Sequence, residues 1–208
     1  MTSSEQPLSN SATNDILGVV LAGGQSSRMK TNKATLCIDG VSNLERALQA
    51  LNNCDVSNVV ISGSHIQEKH IKDRYPNGGP LAGIFSVLIT TKESKDKPSA
   101  LLIIPVDMPL LTPRLLNTLI QQGIKNNTAC CYKSHNLPIY LPVTDKLIEF
   151  LTNEFLSERF TKYNKGPSFK HLLKHISCEF ITTPDVGMLA NANTPEQWDK
   201  ISQLINIR

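Results

Sequence analysis

An apolar run, ILGVVL at residues 16–21, stops at Ala22-Gly23-Gly24 and is followed by Ser26-Ser27, Arg28 and Lys33. Glycines let backbone N–H groups approach an anion with no Cβ in the way. Arg28 as a fork and Lys33 as a point charge suit phosphate oxygens. This strand end therefore predicts phosphate binding, against the alternative of a plain turn with solvated cations. It is not the Walker pattern, whose lysine follows a glycine where this chain has Asn32. Nor is it the dinucleotide fingerprint, since Gly23 and Gly24 are adjacent and no third glycine follows.

Three further places carry unusual chemistry. In LLIIPVDMPLLTP, residues 101–113, Asp107 emerges behind a largely apolar run. An ionised carboxylate at that depth is costly unless a cation or hydrogen-bond donors compensate it. Magnesium is the natural cation, because it takes one or two carboxylates and fills its shell with water and phosphate oxygens. The alternative is an aspartate capping a turn at Pro109-Leu110. GGPLAGI at 78–84 reads either as a turn before a helix N-terminus or as a place where backbone closely approaches a ligand. In MLANANTPEQW, residues 188–198, Asn191 and Asn193 lie on one side of an extended segment.

Alternating strand and helix signals position these residues. Continuous apolar runs at 16–22, 58–62 and 101–106 suit strands covered on both faces, with weaker ones at 128–132 and 178–182. Ser42 and Glu45 match a capping box opening a helix over 43–53, Thr112-Pro113 opens another, and Thr194-Pro195 starts the last. The pattern predicts an α/β, doubly wound, mostly parallel sheet with helices on both faces, a three-layer α/β/α arrangement with right-handed crossovers. Ligands in such folds sit beyond the carboxyl ends of the strands. Residues 134–140 read as a short excursion before Pro142 and 92–98 as a charged surface connection. The expected organisation is a disordered tail over 1–14, too poor in apolar residues to order, and one domain over 15–208.

Composition sets bounds. A formal net charge of +3 with scattered cations gives no case for nucleic-acid binding. No run approaches the roughly 18 apolar residues of a membrane span, and residues 1–14 lack the basic and apolar regions of a signal peptide. Five cysteines without a C-x-x-C pair are no disulfide framework. Cys130 and Cys131 read as reduced strand residues on opposite faces, and a cytoplasmic location is expected.

LAGGQSSRMKTNKATL resembles the signature loop of the nucleotidyltransferases related to molybdenum cofactor guanylyltransferase, LAGGxSxRMGxDKxxL. Lys30 stands where that family has glycine, and Asn32 where it has aspartate. GPLAG, then Pro105, Asp107, Pro109 and Pro113, then NANTP match its later signatures in order. HNLPIYL at 135–141 and GPSFKHLLK at 166–174 are supportive only, and His135 and Lys170 read as surface residues. The resemblance implies a Rossmann-like nucleotidyltransferase fold and transfer of GMP from GTP to molybdopterin with release of pyrophosphate. It implies that Leu21, Ala22, Gly23, Gly24, Arg28 and Lys33 hold the triphosphate and that Asp107 binds Mg2+. Ser62, Asp73, Gly79, Pro80 and Leu81 would hold the nucleoside, and Asn191 and Asn193 the acceptor. A monomer is expected, in transient contact with molybdoenzyme apoproteins or other cofactor-biosynthesis proteins. The alternatives are a molybdopterin cytidylyltransferase, an enzyme acting on another small-molecule phosphate, and a nucleotide-binding accessory protein without turnover.

Overall fold

In the computed structural model, which describes residues 15–23, 33–63, 69–92 and 97–206, ILGVVL forms strand β1 (Ile16–Leu21), buried along its length. The expected tail over 1–14, and Gly24, Arg28, Lys30 and Asn32, lie outside the described residues. A hairpin follows, β2 (Cys37–Ile38) and β3 (Val41–Ser42). It turns at Asp39-Gly40, whose positive φ values suit a tight hairpin. Helix α1 (Asn43–Asn52) opens on the expected capping box: Glu45 N–H donates to Ser42 Oγ, and the Glu45 carboxylate accepts from Ser42 N–H.

The remaining elements are β4 (Asn58–Gly63), β5 (Ile71–Lys72), α2 (Pro80–Lys92), β6 (Ala100–Pro105), α3 (Pro113–Asn126), β7 (Ala129–Tyr132), β8 (Ile139–Pro142), α4 (Asp145–Phe155), α5 (Glu158–Tyr163), α6 (Phe169–His175), β9 (Cys178–Ile181) and α7 (Pro195–Asn206). Thr112 caps α3 with Pro113 at its first position, as the sequence predicts. The main sheet runs β5-β4-β1-β6-β8-β7-β9. All its pairings are parallel except those of β8, which lies antiparallel between β6 and β7. The end of the short excursion expected over 134–140 is therefore part of a sheet strand, which runs over 139–142. Four apolar residues ending in proline do not reveal the direction of a buried strand.

Side chains alternate across the sheet. Val20, Leu102, Ile104, Cys130 and Tyr132 pack toward α1 and α3, while Val19, Leu101, Ile103, Cys131 and Ile139 pack toward α2, α4 and α6. Two helical layers thus enclose the sheet, and their burial of apolar area is the main favourable term in its stability. A third, small cluster joins Ile38, Leu110, Ala192 and Ile201, tying the hairpin and the segment after β6 to α7.

All five cysteines are free thiols, and Cys130 and Cys131 point to opposite faces, as expected. Cys131 Sγ lies 3.7 Å from Cys178 Sγ. The register pairs Cys178 with Ala129, two residues from Cys131. Both thiols are free. Burial pushes the Cys54 and Cys130 thiols up to about 12, whereas Cys37 is exposed. A thiol reagent at pH 8 is therefore expected to label Cys37 in a fast phase that Cys37→Ser removes. Cys130 and Cys131, both buried, are expected to react only on unfolding.

Candidate active site

The chain runs from β1 to β4 and β5 on one side of β1, then crosses through α2 to β6 on the other, so the topological switch point falls between β1 and β6. Gly23 follows β1 and Asp107 follows β6 at this point. Beyond the strands proper, Val106 N–H donates to the Leu21 carbonyl at 3.1 Å and Ala22 N–H to the Ser62 carbonyl at 2.8 Å. The Ala22-Gly23 exit is thus anchored on both sides, leaving Gly23 exposed.

Three distant segments meet over this exit. Lys33 begins a 3-10 turn, Lys33–Thr35, and its Nζ donates to Asp107 Oδ2 at 2.8 Å and to Asn193 Oδ1. The Lys33 and Asp107 side chains are 21% and 18% exposed. The compensating cation that a carboxylate at this depth requires is, in this structure, the Lys33 ammonium. Backbone contacts fix the partners: Ala192 N–H donates to the Asp107 carbonyl at 2.8 Å, and Asn193 N–H to Gln197 Oε1 at 2.9 Å. Asn191, two residues from Asn193, is exposed on the same segment.

The proposed nucleoside residues form a second group. Gly79 has φ +74° and is exposed, so its backbone is open to a ligand just ahead of α2. Pro80 begins α2, but the Leu81 side chain is wholly buried, which leaves Leu81 only its backbone for recognition. Ser62 is 1% exposed, and its hydroxyl faces the α2 position of Gly83, where a Cβ would come within 2.8 Å. Among the described residues that hydroxyl has no hydrogen-bond partner. Asp73 Oδ1 accepts from Tyr75 N–H at 2.9 Å and from Ser86 Oγ at 3.4 Å, closing the turn that leads to Gly78.

Burial raises the Asp73 carboxyl above its ordinary range, opposed by the bonds from Tyr75 and Ser86. A carboxyl with a raised folded pKa binds more protons folded than unfolded, so this group's stability contribution falls as pH rises through that window. Asp73→Asn keeps the acceptor oxygen. It is expected to melt at or above the wild-type temperature at pH 7, and thermal unfolding at a series of pH values should show the difference shrinking toward acid.

Sequence reasoning missed three positioning residues. Asn43, 1% exposed, donates through Nδ2 to the Lys33 carbonyl at 3.0 Å, and the capping box beside it marked the place. Gln197 holds Asn193. Gly166 packs so closely on Gly78 that an added Cβ would lie 2.0 Å from the Gly78 carbonyl oxygen. The GPSFKHLLK stretch marks the place in the sequence without revealing this contact.

The donor set suits a hard divalent cation. Asp107 and Asn193 present a carboxylate and an amide oxygen side by side. Among the described residues no group of three or more His, Cys, Asp or Glu forms a metal cage. One carboxylate with coordination left over for phosphate and water is the arrangement that Mg2+ favours.

Comparison with known proteins agrees with this geometry. Residues 18–160 match the family model of the MobA-like NTP transferase domain. The chain is 32% identical over 186 residues to a molybdenum cofactor guanylyltransferase of Xanthomonas euvesicatoria pv. vesicatoria, covering 88% of this chain and 93% of that one. It is 28% identical over 207 residues to a probable molybdenum cofactor guanylyltransferase of a Geobacillus species, covering 90% and 98%. Among solved structures, the molybdopterin-guanine dinucleotide biosynthesis protein A of Archaeoglobus fulgidus superposes with a TM-score of 0.72 at 17% identity, covering 92% of this chain and 100% of that one. CMP:2-keto-3-deoxy-manno-octonic acid synthetase complexed with CTP has the same fold, at a TM-score of 0.65 and 14% identity, covering 92% and 98%. With Lys33 on Asp107 at the sheet's switch point and a family match that spans both, the chain belongs to the MobA-like NTP transferases.

Proposed function

We propose that this protein transfers GMP from GTP to molybdopterin, releasing pyrophosphate. One observation carries the site: the Lys33 ammonium joins Asp107 and Asn193, drawing the first, third and last signatures into one cluster at the switch point. The relatives' names supply the acceptor and the base.

The terminal phosphate oxygen of the pterin forms a bond to the α-phosphorus of GTP, while the α–β bridging bond breaks and pyrophosphate leaves. Such chemistry rests on positioning and charge neutralisation more than on covalent participation by the protein. The backbone of Gly23 and Gly24, with Arg28 and Lys33, holds the triphosphate and stabilises the departing charge. Gly79 and the first turn of α2, with Asp73 and Ser62, hold guanosine. Asn191 and Asn193 face the acceptor. Asp107 and Asn193 would hold Mg2+, which when bound supplies charge neutralisation to phosphate oxygens. The same reading makes the protein a cytoplasmic monomer in transient contact with molybdoenzyme apoproteins or other cofactor-biosynthesis proteins. The free thiols fit a reducing compartment, and among the described residues no helix is long and apolar enough to cross a membrane.

The fold does not choose the base, since a structure bound to CTP shares it. Pyrophosphate release with each of the four nucleoside triphosphates and molybdopterin tests the assignment. GTP is expected to give the highest kcat/KM. A preference for CTP would make this a cytidylyltransferase, and GTP binding without any pyrophosphate would make it an accessory protein.

A further inference from the structure

Lys33 stands on the oxygens that a cation would need. Its Nζ donates to Asp107 Oδ2 at 2.8 Å and to Asn193 Oδ1. About a fifth of each charged side chain is exposed, so the carboxylate depends on its counter-ion. An ammonium and a divalent ion on one carboxylate repel each other, and the two compete for the same electron pairs. The Lys33 backbone is fixed, because buried Asn43 donates to its carbonyl at 3.0 Å and holds the 3-10 turn to the start of α1. What can move is the flexible four-carbon stem carrying the ammonium.

We propose that Lys33 is a built-in counter-ion that keeps Asp107 and Asn193 from taking a divalent cation until a triphosphate draws its ammonium away. This deepens the assignment of Lys33 and Asp107 made above and rests on it. A triphosphate offers Lys33 a denser anion than one carboxylate, and its departure releases the Asp107 and Asn193 oxygens. Metal and nucleotide then bind with positive coupling, and by linkage each tightens the other by the same factor. The pair also keeps metal from binding ahead of substrate.

The test uses Mn2+ alone, titrated into the full chain and followed by the electron paramagnetic resonance of the free ion. Lys33→Met is expected to bind Mn2+ about tenfold or more tightly than wild type in the absence of nucleotide, within the usual range of coupling. Lys33→Gln should do the same, and Lys33→Arg, which keeps the charge, should stay weak. Adding Asp107→Ala to Lys33→Met should abolish the gain. Folding of each variant is checked by near-ultraviolet circular dichroism, and either neutral variant that folds suffices. Equal or weaker Mn2+ binding in the neutral variants overturns the proposal. Because no nucleotide is present, this outcome is independent of whether GTP or CTP is the substrate.

Discussion

Asp107→Asn is expected to lower pyrophosphate release from GTP and molybdopterin by about 100- to 1,000-fold, the range for losing one preorganised electrostatic partner. The substitution is nearly isosteric and keeps an oxygen that can accept from Lys33, so it removes the charge and little else. The Asp107 backbone carbonyl, which accepts from Ala192 N–H at 2.8 Å, remains and continues to anchor the segment ahead of Asn193. The surrounding core of Leu110, Ala192 and Ile201 does not involve the carboxylate. Because the Lys33 ammonium, with only 21% of its side chain exposed, loses its counter-charge, the variant is expected to be less stable than wild type, and turnover is compared at a temperature where circular dichroism shows it folded. A folded variant whose turnover stays within tenfold of wild type would show that Asp107 serves only as the partner of Lys33. The metal role would then be withdrawn.

Much of this arrangement is legible in the sequence because its signals are local. The runs at 16–21 and 101–104 are apolar without alternation, which already implies cover on both faces, and both strands are buried in the sheet centre. Ser42, Thr112 and Thr194 name helix starts through their own hydroxyls. Asp107 draws notice because an acid at the end of such a strand needs explaining. The contact that explains it is not local: Lys33 lies 74 residues from Asp107 and 160 from Asn193. No periodicity encodes that meeting, and only the ordered set of family motifs anticipates it. The reversed direction of β8 was illegible because parallel and antiparallel strands look alike when both faces are buried. Thr144, Ser157 and Ser168 cap α4, α5 and α6 with bonds of the same kind as Thr112, signals that a reading built on apolar runs passes over. Asn43 was hidden for another reason: a polar residue at a helix start looks like surface until the turn it supports is seen.

Gly166→Ala is expected to impair GTP use although the residue belongs to none of the phosphate or metal contacts. Its new Cβ would stand 2.0 Å from the Gly78 carbonyl oxygen, 2.8 Å from the carbonyl carbon and 2.9 Å from Cα. These are backbone atoms, so no rotamer change relieves the clash, and one of the two chains must shift. Gly78 has little room to yield. A Cβ of its own would meet Ala82 Cβ at 2.6 Å and Phe155 Cε1 at 2.7 Å, and its N–H is held by the Tyr75 carbonyl at 3.0 Å. The displacement passes to Gly79 and Pro80, because Leu81 is locked in the core. Overpacking of this kind costs about 1–3 kcal/mol of stability. A shift of about 1 Å in a substrate-positioning loop can lower kcat/KM about 100-fold. Lys33, Asp107 and Asn193 lie outside this contact, so the loss should appear as a raised KM for GTP with kcat near wild type, the mark of weakened uniform binding. Gly187→Ala is the control: no heavy atom lies within 4 Å of its added Cβ, and both stability and KM should be unchanged. A Gly166→Ala protein that is less stable yet keeps its KM for GTP would place the Gly78–Pro80 loop outside the nucleotide site. The base would then have to be read elsewhere along the ends of β4 and β5.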